Sequence, residues 1–143
     1  MKIFKLFAVA LVCMILSPLT SCADDRPISP NQLPAAAQQF IAQIFPGKTI
    51  AYAEKDSRSY EVSLNDGTKI DFDRKGVWDK VETYTTAVPA AIVPPAIAQY
   101  VAANFAGQVI TKIDKERHGY DIELSGGADL KFNRAGAFIG YDD

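Results

Sequence analysis

SYEVSLNDGTKIDFDRKG at residues 59–76 and GYDIELSGGADLKFNRAG at residues 119–136 decide the fold. In the first, Tyr60, Val62 and Leu64 alternate with Glu61, Ser63 and Asn65, which is the period of a strand with one buried face. Ile70 and Phe72 alternate with Lys69, Asp71 and Asp73, and Asn65-Asp66-Gly67 between the two runs supplies a turn. In the second, Tyr120, Ile122 and Leu124 alternate with Asp121, Glu123 and Ser125, and Gly126-Gly127 makes the turn. Loops this short join antiparallel neighbours.

The likeness extends outward. A shift of sixty positions lays the chain on itself without a gap: Pro34 meets Pro94, Phe45 meets Phe105, Gly47 meets Gly107, Tyr60 meets Tyr120, Phe72 meets Phe132 and Gly76 meets Gly136. The matches are mostly apolar residues and glycines, so the repeat preserves a fold rather than a catalytic group. Each unit opens with a helix signal. Asn31 can cap the first, Pro34 suits its first turn, and Ala37, Phe40, Ile41 and Ile44 recur at helical spacing before Pro46-Gly47 ends it. Pro94-Pro95 opens the second, with Ile97, Tyr100, Val101 and Phe105 as its stripe. Strands are expected at about 49–55, 59–65, 68–74 and 77–84, and again at about 109–115, 119–125, 128–134 and 137–142. The fold class is therefore α+β: a tandem repeat, each unit one helix packed on a four-stranded antiparallel meander. A unit this small sits near the lower limit of independent stability. The two would share a core or join into one concave eight-stranded sheet.

The N-terminus reads differently. Lys2 and Lys5 precede an apolar run from Leu6 to Leu16, too short to span a bilayer comfortably but of secretory length. Leu19-Thr20-Ser21-Cys22 then resembles a bacterial lipobox, with small residues before the scissile bond and a thiol to carry the lipid. Lipidation at Cys22 is expected, with more than one acyl chain, since one holds only marginally. The expected organisation is a signal peptide at 1–21, a lipid-anchored tether at 22–30, a first unit at 31–84, a linker at 85–92 stiffened by Pro89, and a second unit at 93–143. Ala23-Asp24-Asp25 resembles an acidic export tag, which leaves both a periplasmic and a surface-exposed outer-membrane lipoprotein open.

The chain has 143 residues, formal net charge −2, two cysteines and one histidine. Removing residues 1–21 removes two lysines and no acid, which takes the charge to −4. This composition excludes a disordered chain, a disulfide-stapled scaffold and a sequence-independent nucleic-acid binder.

Leu33-Pro34, Phe40-Ile41, Phe45-Pro46-Gly47, Tyr60-Glu61-Val62, Ile70-Asp71-Phe72-Asp73 and Gly76-Val77-Trp78 together resemble the PepSY-like lipoproteins of Bacteroidetes, described as beta-lactamase-inhibitory-protein-like in fold. The second unit departs from the first at Ala106 and Phe138. The resemblance implies tandem helix-and-sheet units, no enzyme activity, and binding or inhibition of a protein. No inhibitory residue carries over from it.

Catalytic chemistry finds little footing. The one histidine, His118, precedes Gly119 in a hairpin turn, and Cys22 is taken by lipid, so neither a triad nor a thiol nucleophile is expected. Asp71, Asp73, Gly76, Asp79 and Glu82 fall at calcium-loop spacing, but Lys75 occupies a ligand position, so the run reads as a turn with solvated acids. No metal or cofactor is expected. The remaining candidate is the polar sheet face: Glu61, Ser63, Lys69, Asp71, Asp73, Asp121, Glu123 and Lys131, with Trp78 and Tyr84 as aromatic anchors. Val77 and Trp78 cannot both face the core by strand parity, which leaves the facing of Trp78 open. The expected function is a non-catalytic, lipid-anchored cell-envelope protein that binds, or inhibits by binding, a protein or peptide partner through this face, with no nucleic-acid partner. The alternative is a small-ligand carrier of the periplasm.

Overall fold

The structure, a computed structural model, describes residues 25–142. The expected signal peptide and the expected lipidation site, Cys22, lie outside these residues. The elements are β1 (Arg26–Pro27), a 3₁₀ turn (Pro30–Gln32), α1 (Ala35–Ile44), β2 (Ile50–Lys55), β3 (Ser59–Leu64), β4 (Lys69–Asp73) and β5 (Trp78–Glu82). A second 3₁₀ turn (Ala90–Ile92), α2 (Pro95–Asn104), β6 (Ile110–Lys115), β7 (Gly119–Leu124), β8 (Asp129–Asn133) and β9 (Phe138–Tyr141) follow. All nine strands form one antiparallel sheet in chain order, β1 to β9.

The helices start where proline fixes the entry. Pro34 and Pro94 sit at the N-cap positions, each accepting a first-turn bond from the amide four residues on. Asn31 is not the cap: it lies in the first 3₁₀ turn, where Ser29 and Gln32 close a capping box. Gly47 and Gly107, at φ 77° and 82°, release the chain after each helix. Ten residues are too few for a stable isolated helix. Each is held by its buried stripe, Ala37 and Ile41 in α1 and Ile97 and Val101 in α2.

The register lines up one apolar row across eight strands: Ala53, Val62, Ile70, Val81, Ile113, Ile122, Leu130 and Tyr141 are successive cross-strand neighbours. All but Tyr141 are buried. Phe72 and Phe132 lie on the same face, in edge contact with Phe40 of α1 and Tyr100 of α2 at 5.7 and 5.4 Å between ring centroids. Both helices therefore cover one face of one sheet, and the other face meets water.

Four bulges set the facing. Ala51, Asp79, Thr111 and Ile139 are each the extra residue where pairing skips a position. The bulge at Asp79 puts both Trp78 and Val81 on the helix side, which settles the parity conflict: Val77 is the exposed one.

One expectation changes. The sheet has nine strands rather than eight, because Arg26 and Pro27 of the expected tether pair with Lys55 and Glu54. The segment expected to be a stiff linker is packed onto the fold. Val88 and Ile92 are buried, the Val88 amide donates to Ile110 O at 2.8 Å, and the Thr83 hydroxyl donates to Thr86 O.

Candidate functional site

One residue away from the apolar row on each strand lies a charged row on the opposite face. Its members in sheet order are Glu54, Glu61, Asp71, Lys80, Asp114, Asp121, Lys131 and Gly140. Three carboxylates therefore stand directly opposite one another on β2, β3 and β4. Like charges in that relation destabilise a sheet. A groove of about 430 Å³ runs over them, lined by Glu54, Glu61, Asp71, Asp79, Lys80 and Asp114 among others. Ser63, Lys69, Glu82, Lys112, Glu123 and Asp129 form the neighbouring row, which mixes both signs.

The electrostatics follow from this placement. Burial raises the Glu61 carboxyl above its ordinary value, and the charges of Asp71 and Glu54 add to it. Burial likewise raises Asp71, raises Asp114 with help from Glu116, and raises Asp79 with help from Asp73. The Tyr52 hydroxyl, donating to Glu54 at 3.1 Å, is pushed up by that bond. Towards β9 the acids have partners: Asp121 Oδ1 lies 2.8 Å from His118 Nε2, and Asp142 lies 3.1 Å from Lys131. Among the described residues, neither Glu61 nor Asp71 has a cationic group within ion-pair distance. Like charges thus meet at two places in the row, Glu54, Glu61 and Asp71 on β2 to β4 and Asp114 opposite Asp121 on β6 and β7, with Lys80 standing between Asp71 and Asp114.

A carboxyl whose folded pKa is raised holds its proton more tightly in the folded state than in the unfolded one. It therefore costs stability as pH rises from the unfolded value, about 4, through the folded one, and costs nothing below both. Glu61→Gln is accordingly expected to stabilise the protein at neutral pH by about 0.2–1 kcal/mol, the range for relieving one like-charge cross-strand pair. Thermal melts over pH should show the gain fading below about pH 4. A gain independent of pH would place its origin outside charge repulsion.

Of the residues singled out from sequence, Glu61, Asp71, Asp121 and Lys131 share the charged row, and Ser63, Lys69 and Glu123 share its neighbour. Asp73 does not point to a partner: its carboxylate accepts the amides of Lys75 and Val77 at 2.8 and 3.0 Å and shapes the turn. Trp78 is not on this face at all. It stacks on Phe40 at 6.0 Å, and Lys115 Nζ sits 3.7 Å from the centre of its ring. Tyr84 is exposed but lies beyond β5, beside the Gly67 turn. His118 is the exposed turn residue expected. Glu54, Lys80 and Asp114 belong to the row and were missed. Each follows a bulge, so counting by twos from Ile50, Trp78 or Ile110 turns it inward. Apolar pairs three apart on a strand, such as Ile50 and Ala53 or Ile110 and Ile113, were the available signal.

The calcium-like run does not gather. Asp73 is engaged by turn amides, and among the described residues no group of three acidic, histidine or cysteine side chains is placed to hold a metal ion.

Helices on one face of an antiparallel sheet, with the other face open and acidic, define a two-layer α+β protein with a single exposed charged surface. The family model described as "Putative beta-lactamase-inhibitor-like, PepSY-like" matches residues 20–67 and 58–140, and the chain belongs to this family. Solved structures agree. A "putative periplasmic protein" of the DUF2874 family from Bacteroides vulgatus is 40% identical, with 84% of this chain and 98% of that one covered and a TM-score of 0.78. A "putative calcium-regulated periplasmic protein" from Bacteroides thetaiotaomicron is 40% identical over the same shares, with a TM-score of 0.79. A third, from Bacteroides vulgatus and described as of unknown function, is 34% identical over 83% and 99%, with a TM-score of 0.79. The comparison with curated proteins finds no match. No catalytic family is indicated. No helix among the described residues is long and apolar enough to cross a membrane.

Proposed function

We propose that this protein is a non-catalytic, lipid-anchored protein of the cell envelope that binds a protein or peptide partner through its charged sheet face, and inhibits the partner if it is an enzyme. One observation carries the reading: Glu54, Glu61 and Asp71 stand opposite one another, and among the described residues no cation lies within ion-pair distance of Glu61 or Asp71. A fold gains nothing from that arrangement, and sites that break local rules at a cost are where function is expected. The partner that relieves it carries lysine or arginine. The grooves of about 430 and 500 Å³ are lined by charged side chains, which favours a protein surface over the apolar pocket a small-ligand carrier needs.

The family description, inhibitor-like, supports binding as the activity. The periplasmic descriptions of the relatives support the envelope, and the Leu19-Thr20-Ser21-Cys22 motif supports a lipid at Cys22. A calcium-dependent version, suggested by one relative's description, has less support here because Asp73 is committed to its turn. We further infer that the chain is a tandem duplicate. Helices of ten residues, bulges at Asp79 and Ile139, and the stacked pairs Phe40/Trp78 and Tyr100/Phe138 all recur at a spacing of sixty.

Capture from outer-membrane extract tests the reading. The wild type should retain a partner that salt elutes, and Glu61→Lys with Asp71→Lys should lose it about tenfold or more, since misplaced like charge costs several kcal/mol at an interface. Identical partner lists from both proteins would count against it.

A further inference from the structure

The strands β5 and β9 occupy matching places. Each follows a tight turn, carries a bulge, and lays an aromatic side chain against the helix above it: Trp78 on Phe40, and Phe138 on Tyr100 at 4.7 Å. They differ on their far side. Strand β5 is covered by β6, whereas the sheet ends at β9. The difference is visible in burial: Val81 is 0% exposed, while Tyr141, in the corresponding position, is 62% exposed. Ile139, corresponding to Asp79, is 54% exposed.

The joint between β5 and β6 shows what completes such an edge. Ile113 pairs with Val81 and Asp114 with Lys80. Lys115 reaches over the Trp78 ring at 3.7 Å and donates to Trp78 O at 3.1 Å. At β9 the backbone is set for the same pairing. The Asp142 amide donates to Asp129 O of β8, so by antiparallel alternation the N–H and C=O of Tyr141 point away from β8, towards the open edge. Proteins blunt free edges with proline, charge or a covering segment. The opposite edge is treated so: β1, ending in Pro27, lies against β2, and the Ile28 amide continues the contact to Ala53 O at 2.9 Å. Strand β9 carries neither proline nor charge, and its exposed side chains are apolar. A second copy pairing through its own β9 would bring Gly140, Tyr141 and Asp142 and no lysine to the Phe138 ring, so the edge suits a segment from another protein.

We propose that the β9 edge accepts an extended segment of a partner protein as an antiparallel tenth strand, with an apolar residue opposite Tyr141 and a lysine two positions later over the ring of Phe138. This is strand addition, in which the main chain supplies affinity and alternate side chains supply selectivity. It uses a different surface from the charged face.

A synthetic peptide of residues 109–116 is the probe, since it carries Ile113, Asp114 and Lys115 in this pattern. Titrated into the isotopically labelled full chain, it should shift the amides of Ile139 to Asp142 saturably and slow exchange of the Tyr141 amide about tenfold. The peptide with Lys115→Ala should bind about two- to fivefold more weakly, the size of a lost exposed cation–π contact. In the chain, Tyr141→Pro removes the outward donor and Ile139→Lys guards the edge by charge; either should abolish binding, and the second keeps every backbone donor. Shifts confined to β1 and β2, no shifts at millimolar peptide, or unchanged binding to Ile139→Lys would overturn the proposal. Concentration-dependent self-association that buries Tyr141 would overturn it in favour of a second copy.

Discussion

Gly119→Ala is expected to destabilise the fold by about 2–5 kcal/mol, a large part of the total for a domain of this size. Gly119 opens β7 at φ 150°, a backbone conformation that side chains rarely adopt. A Cβ there would stand 2.2 Å from Phe132 O, 2.3 Å from Asn133 C and 2.7 Å from Arg134 N. All three are backbone atoms of the neighbouring strand and its turn, so relief requires moving β8 rather than turning a side chain. The corresponding position in the first half is Ser59, which holds a side chain because its φ is not positive. Gly127→Ala is the control. At φ 91° it has no atom within 4 Å of the added carbon, so it should cost only the conformational penalty, about 1–2 kcal/mol. Urea unfolding of both variants gives the comparison, and equal losses would show that the close approach at Gly119 is not what matters.

Phe72→Ala should cost about 3–5 kcal/mol, the usual loss for a fully buried phenylalanine. Phe72 is 0% exposed, lies opposite Trp78 in the register, and meets Phe40 edge-on at 5.7 Å. Removing its ring takes the support from under α1 and from the Phe40/Trp78 stack together. The loss should therefore be partly shared with Phe40→Ala. A double-mutant cycle should give a coupling of about 0.5–1.5 kcal/mol for the aromatic pair. Trp78 emission should move to the red in Phe72→Ala as the indole gains water. A cycle with no coupling would mean the two rings contribute to separate cores.

Much of this fold was legible because its signals are local. The alternation of Tyr60, Val62 and Leu64 and the turns at Gly67 and Gly127 place strands to within a residue or two. What escaped was non-local or parity-breaking. Arg26–Pro27 is too short to carry a period, and it becomes a strand only because β2 offers an edge. A bulge adds one residue without altering composition, so strict alternation along β2, β5 and β6 turns Glu54, Lys80 and Asp114 inward, and none was among the candidates for the charged row. The same effect hid the facing of Trp78. Asp73 was included in the candidate site because an aspartate that shapes a turn has the same sequence appearance as one that faces a partner. Its counterpart Asn133, which accepts the amides of Ala135 and Ala137, does the same job without charge.

The claim that the charged sheet face is the binding surface is tested most directly by site-specific photo-crosslinking in cells. A photoreactive residue replaces Glu61 in one strain and Gln43, on the exposed side of α1, in another. A discrete covalent adduct is expected from position 61, none from position 43, with loss of the adduct when Asp71 and Asp114 are both changed to lysine. Adducts of equal yield from both positions, or an adduct at 61 indifferent to those charges, would contradict it.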